Sequence, residues 1–272
     1  MVLPAEKGNQ IWRVIDILNW GEDYFKSKGF ESPKQEIEWL LCDLLNYKRI
    51  DLYVQFEQPI HRPQLKQLKE WIKRRIGREP LQYITGKTEF YGYKFIITPD
   101  VLIPRPETER VVDVALHKIG NIKNPKVLDV GSGSGCIAIA IGAEKKDALI
   151  LSVDISEGAI RKAKKNAVLN ELSNIEFQVM DILKDIPDGP FDLLVSNPPY
   201  IPEKEMRETM PEVHQYEPKI ALTDERDGLT FYRRFAKIGK SLIKPGGSMV
   251  LEVGLGEHPA KAVDIFQSAG YS

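Results

Sequence analysis

The chain has 272 residues, of which 42% are hydrophobic and 28% are charged, and its formal net charge is −1. This composition is ordinary for a folded globular protein and argues against disorder as the main state. The near-zero charge also argues against a protein whose affinity comes mainly from a nucleic-acid backbone.

The two cysteines and four histidines are scattered along the chain without the spacing of a metal site. We therefore expect reduced thiols, no bound metal and a cytoplasmic location. No run of about 18 apolar residues occurs, so we expect no membrane-spanning segment.

Residues 1–80 carry apolar side chains at helical spacing, which predicts a small helical N-terminal domain. Ser32 is followed by Pro33 and Gln35, a pattern typical of a helix start in which Ser32 is the N-cap and Gln35 closes a capping box. A third helix, over about 63–76, carries a row of basic residues. We interpret this row as a solvated helix face, and the alternative is a docking surface for an acidic partner or RNA.

Residues 81–105 alternate aromatic and polar side chains around glycines, which predicts a β-hairpin linker between two domains. Over residues 106–272, strand-like apolar runs then alternate with amphipathic stretches. This alternation predicts an α/β fold with a mainly parallel sheet covered on both faces.

The predicted strands are 126–130, 149–154, 175–180, 191–196 and 248–253, and the predicted helices are 136–143, 157–169, 229–242 and 258–268. Another strand would be expected after the last of these helices. Either the fold is shortened or the sequence lacks its last strands.

A glycine-rich turn follows the first strand of the sheet and comprises Gly131, Ser132, Gly133, Ser134 and Gly135. Its glycines allow a ligand to approach the backbone closely. The spacing differs from the dinucleotide fingerprint, and no Lys-Ser or Lys-Thr pair follows. By itself the turn fits a dinucleotide, a phosphate or only a tight corner.

Acidic residues mark the ends of the next two strands. Asp154 is placed to accept hydrogen bonds from both ribose hydroxyls of an adenosine group. Asp181 is placed to meet the adenine amino group, and Ile182 to pack on the ring. Each carboxylate alone fits a helix cap or a turn former equally well, but their places at successive strand ends favour a ligand.

The order of these elements resembles the class I S-adenosylmethionine-dependent methyltransferases, which have a Rossmann-like fold. The resemblance covers roughly residues 106–272. It implies that the carboxyl edge of the sheet holds the nucleoside of S-adenosylmethionine. That cofactor has no phosphate, in agreement with the missing phosphate-binding pair.

The run Asn197-Pro198-Pro199-Tyr200 follows the predicted strand 191–196. The prolines expose backbone carbonyls that no strand ladder can use, so Asn197 Oδ1 and the Pro198 carbonyl offer two acceptors on a fixed frame. Tyr200 offers a flat face. Such a site suits a planar –NH2 group of an amide or a nucleobase, and the bland interpretation is a Pro-rich turn that caps a strand.

In methyltransferases of this fold, the motif resembles the signature of enzymes that methylate a planar nitrogen. An amide nitrogen is a poor nucleophile because its lone pair is delocalised into the carbonyl. We expect Asn197, Pro198 and Tyr200 to act by orienting the amide and excluding water. No general base is nominated, and all four histidines are interpreted as structural or exposed.

Two longer runs narrow the family: REPLQYITG at 78–86 and VLIPRPETE at 101–109. With the glycine turn, Asp154 and the Asn-Pro-Pro-Tyr motif, they resemble the release factor glutamine methyltransferases, the HemK/PrmC family, along essentially the whole chain. The resemblance implies methyl transfer to N5 of the glutamine in the Gly-Gly-Gln motif of peptide chain release factors. It also implies S-adenosylhomocysteine as the product and substrate recognition by residues 1–80.

Carried over residue by residue, the resemblance implies that residues 131–135, Asp154, Ile182 and Asn197 contact the cofactor. It implies that residues 197–200 contact the glutamine. Family members often have a large aromatic residue where Ile182 stands. We interpret Arg105 and Glu107 as residues that shape the mouth of the acceptor pocket. The alternative is that they are turn residues whose charges pair with each other.

Three rival functions remain open. The acceptor is a glutamine of a ribosomal protein in the first, and the exocyclic N6 amine of adenine in a nucleic acid in the second. The third is a non-catalytic RNA- or ribosome-binding protein that retains a nucleoside pocket. Our main prediction names release factors as partners of a monomer without a stable nucleic-acid partner.

Overall fold

The computed structural model describes residues 11–271. The chain divides between Thr85 and Gly86 into two compact units. Among the helices described for these residues, none combines the length and the apolar composition that crossing a membrane requires. The same residues include no cluster of three or more His, Cys, Asp or Glu side chains suited to a metal ion.

The first unit is helical, as predicted. Its core joins apolar side chains of five helices and includes Ile17, Leu40, Leu52 and Ile72, each fully buried. The helices are α1 (Val14–Ser27), α2 (Pro33–Leu45), α3 (Arg49–Val54), α4 (Arg62–Ile76) and α5 (Leu81–Thr85), and two short strands, β1 (Trp12–Arg13) and β2 (Pro59–Ile60), pair antiparallel.

Two predictions for this unit need correction. Helix α2 begins at Pro33 as expected, but the Ser32 side chain accepts no hydrogen bond from the helix because its ψ of 61° lies outside the extended region of a regular N-cap. The basic row on α4 is not wholly a solvated face. Arg75 is buried, where its guanidinium binds Glu36 at 2.7 and 2.9 Å and lies 4.6 Å from the Phe30 ring centroid.

The second unit begins with an antiparallel hairpin and continues as a parallel sheet flanked by helices, which confirms the predicted α/β fold. The sheet order is β7-β6-β5-β8-β9, and every neighbouring pair is parallel. The strands are β3 (Lys87–Phe90), β4 (Tyr93–Ile96), β5 (Lys126–Val130), β6 (Leu149–Asp154), β7 (Ile175–Val179), β8 (Phe191–Ser196) and β9 (Ile243–Leu251).

Seven helices complete this unit: α6 (Glu109–Ile119), α7 (Cys136–Glu144), α8 (Glu157–Leu169), α9 (Pro211–Tyr216), α10 (Lys219–Leu222), α11 (Thr230–Leu242) and α12 (His258–Ser268), counted over the part of the chain that the structure describes. Strand β9 begins five residues earlier than predicted. The early start reflects a register irregularity, because Phe191 pairs with Ile243 whereas Leu193 pairs with Ser248.

A buried asparagine of α8 joins the hairpin to the glycine turn. Asn166 Oδ1 accepts a hydrogen bond from the Ile96 N–H at 2.8 Å, and Nδ2 donates to the carbonyls of Ile96 at 3.1 Å and Ser134 at 2.9 Å. The Asn166 side chain is fully buried. These bonds satisfy a polar group that would otherwise cost stability in the core.

Asp129 is a buried carboxyl in the centre of the sheet, with an exposed fraction of 1%. Its Oδ2 accepts a hydrogen bond from Ser152 Oγ at 2.7 Å, whereas Oδ1 has no partner among the described residues. Burial raises the pKa of Asp129 to about 7, against the opposing effect of the Ser152 bond, and the nearby charge of Asp154 adds to the rise.

This pKa predicts how the stability of the ligand-free protein changes with pH. A carboxyl whose pKa is raised on folding stabilises the fold below its unfolded pKa of about 4, and that stabilisation is lost as the pH rises through about 7. At 1.36 kcal/mol per pKa unit, the loss reaches up to about 4 kcal/mol. We expect Asp129→Asn to flatten this dependence in urea unfolding between pH 5 and 7.5.

Some slope should remain in that variant, because burial also raises the pKa of Asp154. The matched control is Asp147→Asn at an exposed position, where hydrogen bonds from Asn124 and Lys145 lower the carboxyl pKa so that it titrates below this window. Equal slopes for Asp129→Asn and the wild type would contradict the assignment.

Candidate functional site

The glycine turn connects β5 to α7 and is bonded to the neighbouring strand. The N–H groups of Gly131 and Ser132 donate to the Val153 carbonyl at 2.9 and 3.0 Å. Gly135 has a φ of +83°, and a Cβ there would lie 3.1 Å from the Ala163 Cβ. The end of the turn therefore requires glycine for both its conformation and its contact with α8.

Asp154, at the end of β6, holds the turn in place. Its Oδ2 accepts the Gly133 N–H at 2.8 Å, and its Oδ1 accepts the Ser156 N–H at 2.9 Å. Burial raises the pKa of Asp154, and these two backbone donors oppose the rise. Each carboxylate oxygen keeps a further lone pair for a ligand.

A cavity of about 500 Å³ opens at this edge of the sheet. Its volume is in the range of small-molecule sites. Among the residues predicted for the site, the cavity is lined by Gly131, Gly133, Asp154, Asp181, Ile182, Asn197, Pro198 and Pro199. The structure thus brings together residues from four separate segments of the sequence.

Three members of the predicted turn do not line this cavity, within the part of the chain that is described. Ser132 and Ser134 are buried, with exposed fractions of 4% and 2%. Ser132 Oγ lies 2.8 Å from Ser152 Oγ, and Gly135 packs against Ala163. These residues therefore support the turn on the side away from the cavity.

Asp181 and Ile182 follow β7. The Asp181 carboxylate accepts the Leu183 N–H at 3.1 Å and pairs with Lys184 at 2.9 Å, so it also forms a turn. Ile182 is buried and joins a core cluster that includes Leu194. Both residues nonetheless contribute to the cavity wall.

The Asn-Pro-Pro-Tyr motif begins directly after β8. Asn197 Nδ2 donates to Thr108 Oγ1 at 3.1 Å, which leaves Asn197 Oδ1 as an acceptor on a residue of the cavity wall. Pro198 is buried and Pro199 is half-buried. The motif therefore presents its acceptor from a rigid backbone.

Tyr200 lies behind the cavity wall. Its Oη donates to Glu252 Oε1 at 3.3 Å, and its ring centroid is 6.1 Å from that of His258. Burial, helped by the nearby Glu252 charge, raises the pKa of Tyr200 to about 12. The hydroxyl therefore stays protonated and acts as a donor at neutral pH.

Arg105 and Glu107 do not pair with each other. The Arg105 guanidinium instead forms an ion pair with Glu217, whose carboxylate is buried and also accepts the Ile103 N–H at 3.2 Å. Glu107 is exposed. The Arg105–Glu217 pair fixes the chain just before Pro218, which lines the cavity.

Sequence reasoning missed Glu217, Thr108 and Glu252. Thr108 is buried, with an exposed fraction of 2%, and donates to Glu252 Oε2 at 2.6 Å. A signal for Glu252 existed, because it follows the last strand of the sheet just as Asp154 ends the second. Burial raises the pKa of Glu252, and the nearby charge of Glu107 adds to the rise. Side-chain hydrogen bonding to Thr108, Tyr200 and Asn197 opposes it, so the Asn197 amide lies close to this carboxylate as well as to Thr108.

The histidines have structural or surface positions, as expected. His258 is nearly buried; its Nδ1 accepts the Gly254 N–H at 3.2 Å, and its Nε2 lies 3.0 Å from the Gly228 carbonyl. The other three, His61, His117 and His214, are exposed.

Comparison with known proteins places both units. Residues 16–86 match the family model of the PrmC N-terminal domain, and residues 110–215 match that of the methyltransferase small domain. The release factor glutamine methyltransferase of Geobacter sulfurreducens is 40% identical over 248 residues, covering 91% of this chain and 86% of that protein.

Two further relatives agree in name and coverage. The release factor glutamine methyltransferase of Clostridium acetobutylicum is 40% identical, covering 90% of this chain and 87% of that protein. The corresponding protein of Chlorobaculum tepidum is 37% identical, with shares of 92% and 87%. The chain therefore belongs to the release factor glutamine methyltransferase family.

Proposed function

We propose that this protein transfers a methyl group from S-adenosylmethionine to N5 of the glutamine in the Gly-Gly-Gln motif of peptide chain release factors. The products are the methylated glutamine and S-adenosylhomocysteine. The observation that carries the proposal is that Asn197, Pro198 and Pro199 of the Asn-Pro-Pro-Tyr motif line the cavity, in a chain of the release factor glutamine methyltransferase family.

The cavity fits this cofactor. Gly131 lines the cavity with a φ of +82°, a conformation that favours glycine, and the absence of a side chain lets a ligand approach the backbone closely. Asp154 supplies carboxylate oxygens for the ribose hydroxyls, and Asp181 and Ile182 lie on the wall for the adenine. When bound, S-adenosylmethionine supplies a sulfonium methyl group that is open to in-line attack.

The acceptor amide is oriented by residues 197–200. Asn197 Oδ1 and the Pro198 carbonyl accept its two N–H groups, which fixes the amide plane and aims the nitrogen lone pair at the methyl group. Pro199 and Tyr200 limit the amide to one plane, and Arg105 and Glu107 shape the entrance. Orientation and exclusion of water supply the rate enhancement, and the released proton passes to solvent.

The same proposal assigns a role to each part of the chain. Residues 1–80 recognise the release factor, residues 81–105 are the linker, and residues 106–272 carry the chemistry. The match of residues 16–86 to the PrmC N-terminal domain supports a family-specific role for the helical part. We propose a monomer that works in the cytoplasm without a stable nucleic-acid partner.

The first test is mass spectrometry of a purified release factor after incubation with the protein and S-adenosylmethionine. We expect one added methyl group, mapped to the glutamine of the Gly-Gly-Gln motif. A release factor with glutamate in place of that glutamine is the control and should stay unmodified. Methylation of a ribosomal protein or of adenine instead of the release factor would overturn the proposal.

The substitution Asn197→Ala should lower kcat by about 10²- to 10³-fold, the loss seen when one preorganised group is removed from an active site. Cofactor affinity, measured by calorimetry, should fall by less than about tenfold because the other wall residues remain. The control is Asn170→Ala; Asn170 directly follows α8, and its side chain donates to the Lys94 carbonyl at 2.9 Å. Undiminished turnover in Asn197→Ala would refute the two-acceptor arrangement.

Arg105→Ala should impair methylation by about tenfold while cofactor affinity changes less, because the segment before Pro218 loses its ionic anchor. Both quantities are measured on the same preparation. The control is Arg233→Ala, which removes an exposed ion pair with Asp227. Parallel loss of methylation and cofactor binding would show that Arg105 serves folding instead.

A further inference from the structure

The carboxylate of Glu252 is linked by hydrogen bonds to both polar residues of the acceptor motif, Asn197 and Tyr200. Glu252 follows β9 and Asn197 follows β8, and the parallel register pairs Leu251 with Ser196. The two residues therefore occupy equivalent places, one step past the paired ends. The Glu252 N–H donates to the Ser196 carbonyl at 3.0 Å, which fixes this alignment.

The Glu252 carboxylate reaches each residue with a different oxygen. Oε2 accepts from Thr108 Oγ1 at 2.6 Å, and Thr108 Oγ1 in turn accepts from Asn197 Nδ2 at 3.1 Å. Oε1 accepts from Tyr200 Oη at 3.3 Å. The Glu252 backbone is also held, because the hydroxyl of the buried Tyr232 donates to its carbonyl at 2.7 Å.

The direction of the Thr108 proton follows from this arrangement. A threonine hydroxyl has one proton, and an ionised carboxylate can only accept. The 2.6 Å separation of Thr108 and Glu252 is typical of an O–H···O⁻ bond, so the proton lies on that side. Thr108 can then only accept from Asn197, and the amide must face it with Nδ2.

With Nδ2 turned toward Thr108, the Asn197 Oδ1 is the atom left for the N–H of an incoming amide. The reversed amide would face the substrate with an N–H group, and two donors would oppose each other. The orientation of one side-chain amide thus decides whether the substrate is held or repelled.

We propose that Glu252 is a positioning residue, which acts through Thr108 to keep Asn197 Oδ1 facing the acceptor amide and holds Tyr200 with its second oxygen. The proposal rests on the proposed function. It assigns to Thr108, in the Pro-Arg-Pro-Glu-Thr-Glu run, the role of relay between the two strand ends.

The test is a set of variants assayed for kcat, KM and cofactor affinity with the full-length protein and a release factor. In Glu252→Gln, the new amide can donate to Thr108 and free the hydroxyl proton to point at Asn197, so both amide orientations become available. We expect kcat to fall by about 10- to 100-fold, as for other groups that orient a reacting residue. Cofactor affinity should stay within about threefold.

Thr108 supplies the second arm. Thr108→Val removes the relay and should lower kcat as Glu252→Gln does, whereas Thr108→Ser keeps the hydroxyl and should restore most of the rate. The double variant Glu252→Gln with Thr108→Val should be no slower than the slower single variant, because both break one chain of bonds. The surface control is Glu257→Gln, whose partner is Lys261.

Additive losses in the double variant, or wild-type kcat in Glu252→Gln, would overturn the proposal. So would equal loss of turnover and cofactor binding, which indicates a merely structural role. If Glu252→Gln does not fold, the comparison of Thr108→Val with Thr108→Ser still distinguishes a positioning role from a merely structural one.

A readout without turnover separates this proposal from the proposed function. The side-chain amide signals of Asn197 in ¹H–¹⁵N spectra are assigned by their loss in Asn197→Ala. We expect them to shift or broaden in Glu252→Gln, and an unchanged pair would overturn the relay. The wild-type protein could fail to methylate release factors while the Asn197 signals still shift in Glu252→Gln. That result would refute the proposed function and leave the role of Glu252 and Thr108 standing.

Discussion

The parallel register of the central sheet is the constraint on which the site depends. Val130 pairs with Val153 and with Ser196, and Ser196 pairs with Leu251, so four strands are level at one row. The next residue in each strand direction is Gly131, Asp154, Asn197 and Glu252, respectively. A slip of one residue in any pair would turn the side chains of that strand to the opposite face and disperse the site.

Most polar groups at this edge have bonds within the protein that fix them before any ligand arrives. Asp154 accepts hydrogen bonds from the Gly133 N–H in the glycine turn and from the Ser156 N–H at the start of α8. Glu252 does the same for the acceptor side through Thr108 and Tyr200. Such prior fixation lowers the reorganisation needed during reaction, which is the main way an enzyme without a strong base can act.

The sequence predicted the helices best where capping and periodicity agree. Helix α8 was predicted at 157–169, its exact bounds, and Ser156 there accepts the Ala159 N–H. Local patterns misled at two positions. Ser32 has the neighbours of an N-cap but not the backbone conformation of one, and Arg105 lies near Glu107 in sequence but does not pair with it. The partner of Arg105 is Glu217, 112 positions away, and no local pattern shows this pair.

The candidate site shows the same division. The residues that line the cavity were predictable because they follow strands, and parallel strands end at one edge. Glu252 also follows a strand, but its bond to Thr108 was not predictable, because Thr108 precedes α6 and only the folded chain brings the two side-chain oxygens within 2.6 Å.

Asn166 also makes the glycine turn and the hairpin dependent on each other. One buried side chain bonds to Ile96 at the end of β4 and to Ser134 within the turn. If either segment moves away from α8, the buried Asn166 amide loses a hydrogen-bond partner, which costs stability in the core. The hairpin and the ligand loop should therefore open together as one cooperative unit, although 38 positions of sequence separate Ile96 from Ser134.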